Sequence, residues 1–291
     1  MEDPILYAIP VFIVFILLEL GIAWKIKRDA YELKDSAANI TMGLGSAIIG
    51  LGVKSVVLIL FLGIYQYRIF DIGFQWWAWL ILLFADDFSF YWHHRLSHQI
   101  RLLWAAHVNH HSSQKYNLSV ALRQSWTEVI YKYIFWMWLP LIGFHPLMVM
   151  TMISINLIYQ FFVHTEVVKK MGVLEYFMNT PSHHRVHHAS NIRYLDKNHA
   201  GIFIIWDKLF GTFSPEDEDE RPVYGITRNI NTHNPLKIAS HEFADLWKDV
   251  RKADNLKDKI LYIIMPPGWS PDGSTLTSNQ LRALDKKDSR V

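Results

Sequence analysis

Apolar residues fall in five long runs along the first 165 positions, and polar residues gather in the gaps. The runs cover about Leu6 to Ala23, Met42 to Tyr65, Phe74 to Trp92, Val129 to Phe144 and Leu147 to Val163. Most approach the roughly 20 residues that a helix needs to cross the hydrocarbon layer. They predict an all-α integral membrane bundle of four or five spanning helices. Glu19 lies inside the first run and would be costly facing lipid. Lys54 interrupts the second, which leaves its depth and straightness open. Trp76, Trp77, Trp79 and Trp92 in the third suit membrane interfaces. Between the last two runs, Gly143-Phe-His-Pro146 reads as the turn of a tight helical hairpin.

Beyond Val163 the pattern changes. Gly201 to Trp206 reads as an apolar strip along the bilayer surface, and Glu216 to Glu220 as a solvated acidic loop. Phe243, Leu246 and Val250 recur at helical spacing and predict a surface helix over His241 to Lys252. A proline-rich loop, Pro266 to Pro271, precedes a polar tail from Asp272 that is expected to be mobile. One domain spans 1–291, with a core over about 74–213 and a soluble extension over about 214–291.

The basic residues orient the bundle. Lys25, Lys27, Arg28 and Lys34 follow the first run, Arg95, Arg101, Lys115 and Arg123 the third, and Lys169 and Lys170 the fifth. The opposite loops carry only Arg68. The positive-inside tendency then puts the N-terminus outside and the C-terminus in the cytoplasm.

Composition narrows the chemistry. Charged residues make up 19% and hydrophobic residues 51%, which agrees with a membrane protein. A net charge of +2 gives no sign of nucleic acid as a partner. With no cysteine there are no disulfides, iron–sulfur clusters or thiolate zinc sites. Gly43-Leu-Gly45 opens a dinucleotide fingerprint, but Ile48 stands at its third glycine position and no strand precedes it. Close packing of a helix is the better reading there. A redox enzyme of this composition must draw its electrons from a separate donor.

Three histidine clusters carry the strongest chemical signal: His94 and His98; His107, His110 and His111; His184, His187 and His188. Spacings of three and four place imidazoles on one helix face. Eight converging imidazoles are too many for one ion and suit two. On the predicted topology all three clusters lie on the cytoplasmic side. Neutral imidazole binds iron, copper, zinc and nickel. A catalytic zinc uses about three protein ligands and one water, fewer than are available. Soluble di-iron bundles use Glu-x-x-His pairs, which this chain lacks. All-imidazole ligation of two irons remains. His164, where the fifth run ends, is a candidate ninth ligand. His199 is balanced between a ligand and a supporting role. His183, out of phase with the third cluster, reads as support. Asp87, one turn before Tyr91, could orient a ligand imidazole through its other nitrogen. His145, His233 and His241 read as ordinary core or surface residues.

The sequence around the clusters resembles the fatty acid hydroxylase/sterol desaturase superfamily of membrane di-iron oxygenases. The likeness rests on HxxxH at His94, HxxHH at His107 and HxxHH at His184. The stretches Phe90 to His98, Leu103 to Ser113, Tyr116 to Ser125, Asn179 to His188, Gly201 to Phe213 and Pro267 to Pro271 narrow it to the alkylglycerol monooxygenase branch. The resemblance implies a cytoplasmic histidine-rich di-iron cap with the eight box histidines as ligands. It also implies an O2-dependent mono-oxygenase reduced by a tetrahydropterin and acting on the ether-linked carbon of glyceryl ethers. Gln99 and His199 depart from it, standing where an acidic residue and a tyrosine are expected. Its partners would be a lipid from the bilayer, O2 and a separate electron-donor protein. The same chemistry on a sterol (desaturation or methyl oxidation) or on a fatty-acyl lipid is the alternative reading. A histidine-rich metal transporter is the alternative of a different class, but it needs ligands spread across the bilayer.

Overall fold

A computed structural model describes residues 3–26 and 29–288, so Lys27 and Arg28 of the orientation argument lie outside the described residues. Helices account for all the regular structure among them, and no strand forms. Ala189 and Tyr224 make one isolated bridge.

Helix α1 (Pro4–Lys25) opens with proline in its first turn and Asp3 as its cap, the carboxylate accepting from Ile5 N at 3.1 Å. Its flanks are apolar all round, and Leu6, Ile13, Leu17 and Leu18 are exposed, as for a helix solvated by lipid. Glu19 is the exception and is buried. It accepts from Tyr31 Oη at 2.5 Å, from Leu118 N at 2.8 Å and from Thr165. Helix α2 (Leu33–Tyr65) begins well before the apolar run at Met42. Its early turns are polar because they bury Asp35 and Asn39 against Arg123, which binds both carboxamide and carboxylate oxygens. Lys54 does not break α2; it pairs with Asp3. Gly43 and Gly45 let the following segment press close, since a Cβ on Gly45 would lie 2.4 Å from the Trp126 indole nitrogen.

Helix α3 (Trp76–Gln99) and α4 (Arg101–His111) are separated only by Ile100, whose extended backbone turns α4 back against α3. The fourth apolar run is not one helix, contrary to the pattern. It divides into α5 (Glu128–Tyr131), a 3-10 segment at Lys132–Trp136 and α6 (Trp138–Ile142). Pro140 lacks an N–H and so sits in the first turn of a fresh helix rather than inside a continuous one. Helix α7 (Pro146–Val163) completes the bundle. Among the described residues three helices, α1, α2 and α7, are long and apolar enough to cross a membrane.

Three such helices stand against the four or five spanning helices that the apolar runs predict, because α3 falls short in hydropathy and the fourth run is broken. At one end of the bundle, Ile69 N and Phe70 N donate to Leu141 O and Ile142 O at 2.9 and 3.0 Å. Gly143, at φ 134°, takes the turn there, and a Cβ would strike Phe70 O. At the other end lie the C-termini of α3 and α7, with α4 and α8 (Pro181–His187).

The remaining helices are α9 (Ile205–Leu209), α10 (Pro235–Lys252), α11 (Leu256–Ile264) and α12 (Ser278–Asp288). Helix α10 is the expected surface helix and packs on α4, with Arg101 binding Glu242 at 2.9 Å and Asp249 at 2.8 Å. Gly201 to Trp206 does not lie on a free surface. Ile202 and Ile204 are buried, and Phe203 stacks on Phe84 of α3 at 4.6 Å. The polar tail contains α12, whose Arg282 donates to Leu195 O.

Candidate metal centre

Four helices deliver the histidines. His94 and His98 come from the last turns of α3, and His107, His110 and His111 from α4. His184 and His187 come from α8, with His188 capping it. A proline in its first turn and a reciprocal cap between Thr180 and His183 start that short helix. His164 is the C-terminal cap of α7. All nine are buried.

They divide into two groups. His94, His98, His107, His111 and His187 offer ligand atoms that all lie within 4.8 Å of one another; His110, His164, His184 and His188 do the same. Stacked rings of His111 and His188, 4.5 Å apart, join the groups. The sequence clusters therefore do not map onto one ion each. The second cluster divides between the groups, and so does the third.

Hydrogen bonds on the outer nitrogens fix what the inner ones can do. His94 Nδ1 faces His199 O at 2.8 Å, His164 Nδ1 faces Gln160 O at 2.7 Å and His187 Nδ1 faces Lys197 O at 2.8 Å. His107 Nδ1 meets Glu128 Oε2 at 3.1 Å, and His98 Nδ1 meets Asp196 Oδ1 at 3.3 Å. A carbonyl or carboxylate oxygen can only accept, so each of these Nδ1 atoms donates. In a neutral ring the Nε2 is then a bare lone pair. Yet His94 Nε2 and His107 Nε2 stand 3.0 Å apart. Two facing lone pairs at that distance repel, and a cation between such groups removes the repulsion. His98 and His187 turn Nε2 atoms with no partner toward the same group. The donor set fits a transition-metal ion, and iron is among the metals imidazole suits.

The other candidates are placed differently. His199 belongs to neither group, although its buried ring lies 4.9 Å from that of His98 with both nitrogens unpartnered. Its backbone does the visible work: the carbonyl takes His94, and the N–H donates to Asp207 at 2.8 Å. His183 turns away toward Met178 O and Glu175. Asp87 touches no imidazole. It accepts from Ile202 N at 2.6 Å, Phe203 N at 2.9 Å and Trp206 Nε1 at 3.0 Å, and so anchors the loop that carries His199. His145 and His233 lie away from both groups, and His241 caps a turn of α10. Sequence reading missed three side chains. Glu128 and Asp196 sit behind ligand candidates that are remote in sequence. His93 neighbours the first cluster and lines a cavity that His94, His107, His110 and His184 also line.

Burial pushes the His164 and His187 imidazoles toward the neutral form. It drives His187 down to about 3 and His164 down to about 4, against about 6.5 for a free histidine. The unfolded chain thus takes up protons near pH 6.5 and the folded one only well below. The neutral-state contribution is fully present above pH 6.5 and is lost as pH falls toward 4. Metal-free protein in detergent should unfold at a lower temperature at pH 5 than at pH 7.5. An equal or higher midpoint at pH 5 would contradict this.

Comparison with known proteins adds independent information. Residues 79–212 match the fatty acid hydroxylase family, a segment that contains all nine histidines. The chain is 41% identical to alkylglycerol monooxygenase of Homo sapiens over 273 residues, 92% of this chain and 60% of that protein. It is 40% identical to alkylglycerol monooxygenase of Danio rerio over 269 residues, 91% of this chain and 59% of that protein. Ornithine lipid hydroxylase OlsE of Rhizobium tropici is 29% identical over 150 residues, 51% of this chain and 45% of that protein. The chain thus spans less than two thirds of the length of these relatives. No solved structure matches it.

Proposed function

From the match of residues 79–212 to the fatty acid hydroxylase family we propose that the chain is a membrane di-iron oxygenase acting on a lipid C–H bond. The favoured substrate is the ether-linked carbon of an alkylglycerol. One observation carries the reading: two groups of buried imidazoles, five and four, meet inside the matched domain with lone pairs turned inward. The named relatives, similar over most of this chain, support the lipid class.

His94, His98, His107, His111 and His187 would hold one iron, and His110, His164, His184 and His188 the other. Bound there, iron would supply activation of O2 for C–H hydroxylation, with electrons from an external reductant such as a tetrahydropterin. Glu128 and Asp196 hold protons on the outer nitrogens of His107 and His98 and keep the inner nitrogens free for metal. A cavity beside His94, His107, His110 and His184 has Phe90, Trp136, Ile153 and Leu157 as apolar walls. These walls would contact the part of an alkyl chain next to the centre and help keep bulk water from the reacting carbon. Hydroxylation there consumes O2, two electrons and two protons and leaves a hemiacetal and water. The hemiacetal falls apart to a fatty aldehyde and a glycerol. Gathering of every ligand candidate at one end of the bundle speaks against a metal transporter.

The test uses iron-loaded protein, a tetrahydropterin, an alkylglycerol and ¹⁸O2. The expected product is an aldehyde with one labelled oxygen, since a hydrolase would take oxygen from water. Turnover only of a sterol or fatty-acyl lipid with a ferredoxin or cytochrome b5 donor would move the protein to the alternative substrate class. The reading also puts the centre on the cytoplasmic side. Reporter fusions near Lys115 and after Lys286 should report cytoplasm, and one near His145 the opposite compartment. Opposite answers at Lys115 and Lys286 would break the topology.

A further inference from the structure

His93 is 2% exposed, yet neither ring nitrogen has a hydrogen-bond partner. Its ring is held among Phe90, Phe135 and Trp136, at centroid distances of 6.2, 5.2 and 5.8 Å. A buried imidazole without partners is costly, and such groups commonly mark where a ligand or water binds. His93 lines the cavity beside the imidazole groups. Across that space, His93 Nε2 lies 3.6 Å from Glu128 Oε1, too far for a hydrogen bond. The other Glu128 oxygen is occupied by His107 Nδ1 at 3.1 Å.

This arrangement has one donor and one acceptor left open side by side. A hydroxyl can satisfy both, accepting from His93 N–H and donating to Glu128 Oε1. An alkyl chain alone satisfies neither. Gln124 and Lys132 also line the cavity and offer further polar contacts to a neighbouring hydroxyl. Phe90, Trp136, Ile153 and Leu157 line the same cavity, so it offers polar and apolar contacts together. Only the His107 ring separates Glu128 from the inward nitrogens.

We propose that His93 and Glu128 form a hydroxyl-binding subsite that seats the polar head of the lipid and so presents the adjacent ether carbon to the metal centre. This rests on the lipid-oxygenase reading and specifies the recognition it needs.

The experiment compares a 1-O-alkylglycerol with its 2,3-di-O-methyl ether, which keeps the ether carbon and chain but has no hydroxyl donor. Steady-state kinetics and iron content are measured for the wild type, His93→Phe and His93→Gln, each as the full chain in nanodiscs. The wild type should prefer the diol by at least about tenfold in kcat/KM, as a site built for hydroxyls discriminates against an analogue lacking them. His93→Phe should erase that preference by raising KM for the diol about tenfold with kcat little changed, while iron content stays level. His93→Gln, which still donates and accepts, should retain part of the preference. Undiminished preference in His93→Phe overturns the subsite, as does equal use of both lipids by the wild type, a result independent of any variant's folding. Loss of iron in both variants would make His93 a metal ligand instead and also overturns it. An iron-loaded wild type that oxidises neither lipid overturns the alkylglycerol reading and the subsite with it.

Discussion

His94→Ala should lose metal and activity together. Protein purified gently should hold about two irons per chain, one for each imidazole group. His94 lies at a junction: its Nε2 faces His107 at 3.0 Å, its ring lies 4.3 Å from His187, and its Nδ1 donates to the His199 carbonyl. Removing the ring deletes a ligand candidate and frees the loop whose carbonyl it binds. Activity should fall by more than about 100-fold, the upper range for removing a partner that only supports a ligand. His233→Ala should change neither iron nor rate, because that residue sits at the surface against Glu32, outside both groups. Metal analysis beside the lipid assay decides the matter. One tightly bound zinc and no iron, after growth in iron-rich medium, would count against a di-iron centre.

Asp87→Ala should be nearly as damaging although Asp87 approaches no metal candidate. Its carboxylate is fully buried and accepts from two backbone amides, the Trp206 indole and the Asn156 carboxamide. Truncation leaves those donors without a partner in a closed space, at a cost on the order of 3–5 kcal/mol. The loop it releases includes Gly201, packed so closely that a Cβ would lie 2.6 Å from Asp87 Oδ1. The same loop presents the His199 carbonyl to His94. Loss of Asp87 should therefore lower both the thermal midpoint and the iron content, while Asp87→Asn, which keeps an acceptor oxygen, should do less harm. An Asp87→Ala protein with full iron and unchanged melting would show that the loop is held by other contacts.

These residues also show what could be read from sequence. Spacings of three and four exposed the box histidines because helical neighbours in sequence are neighbours in space. His164 was legible from its position at the end of an apolar run. Glu128 was not, since its tie to His107 spans 21 residues and an irregular segment. Its role depends on α4 folding back on α3 at Ile100, a turn that hydropathy does not report. Asp87 was read as a partner for a ligand imidazole, but its partners are two backbone amides and an indole more than a hundred residues away and the Asn156 carboxamide on α7. The apolar run at 129–144 failed as a single helix for a related reason. Hydropathy measures how apolar a segment is, whereas Pro140 and the 3-10 turns decide whether its backbone is continuous.

The facing lone pairs have a consequence for the life of the protein in its cell. Before metal arrives, α3 and α4 must be held together against the repulsion between the inner nitrogens of His94 and His107, so the metal-free chain has reason to open at that end. Ion capture closes it and draws the population toward the finished form by mass action. Metal supply would then set how much of the protein reaches its closed form.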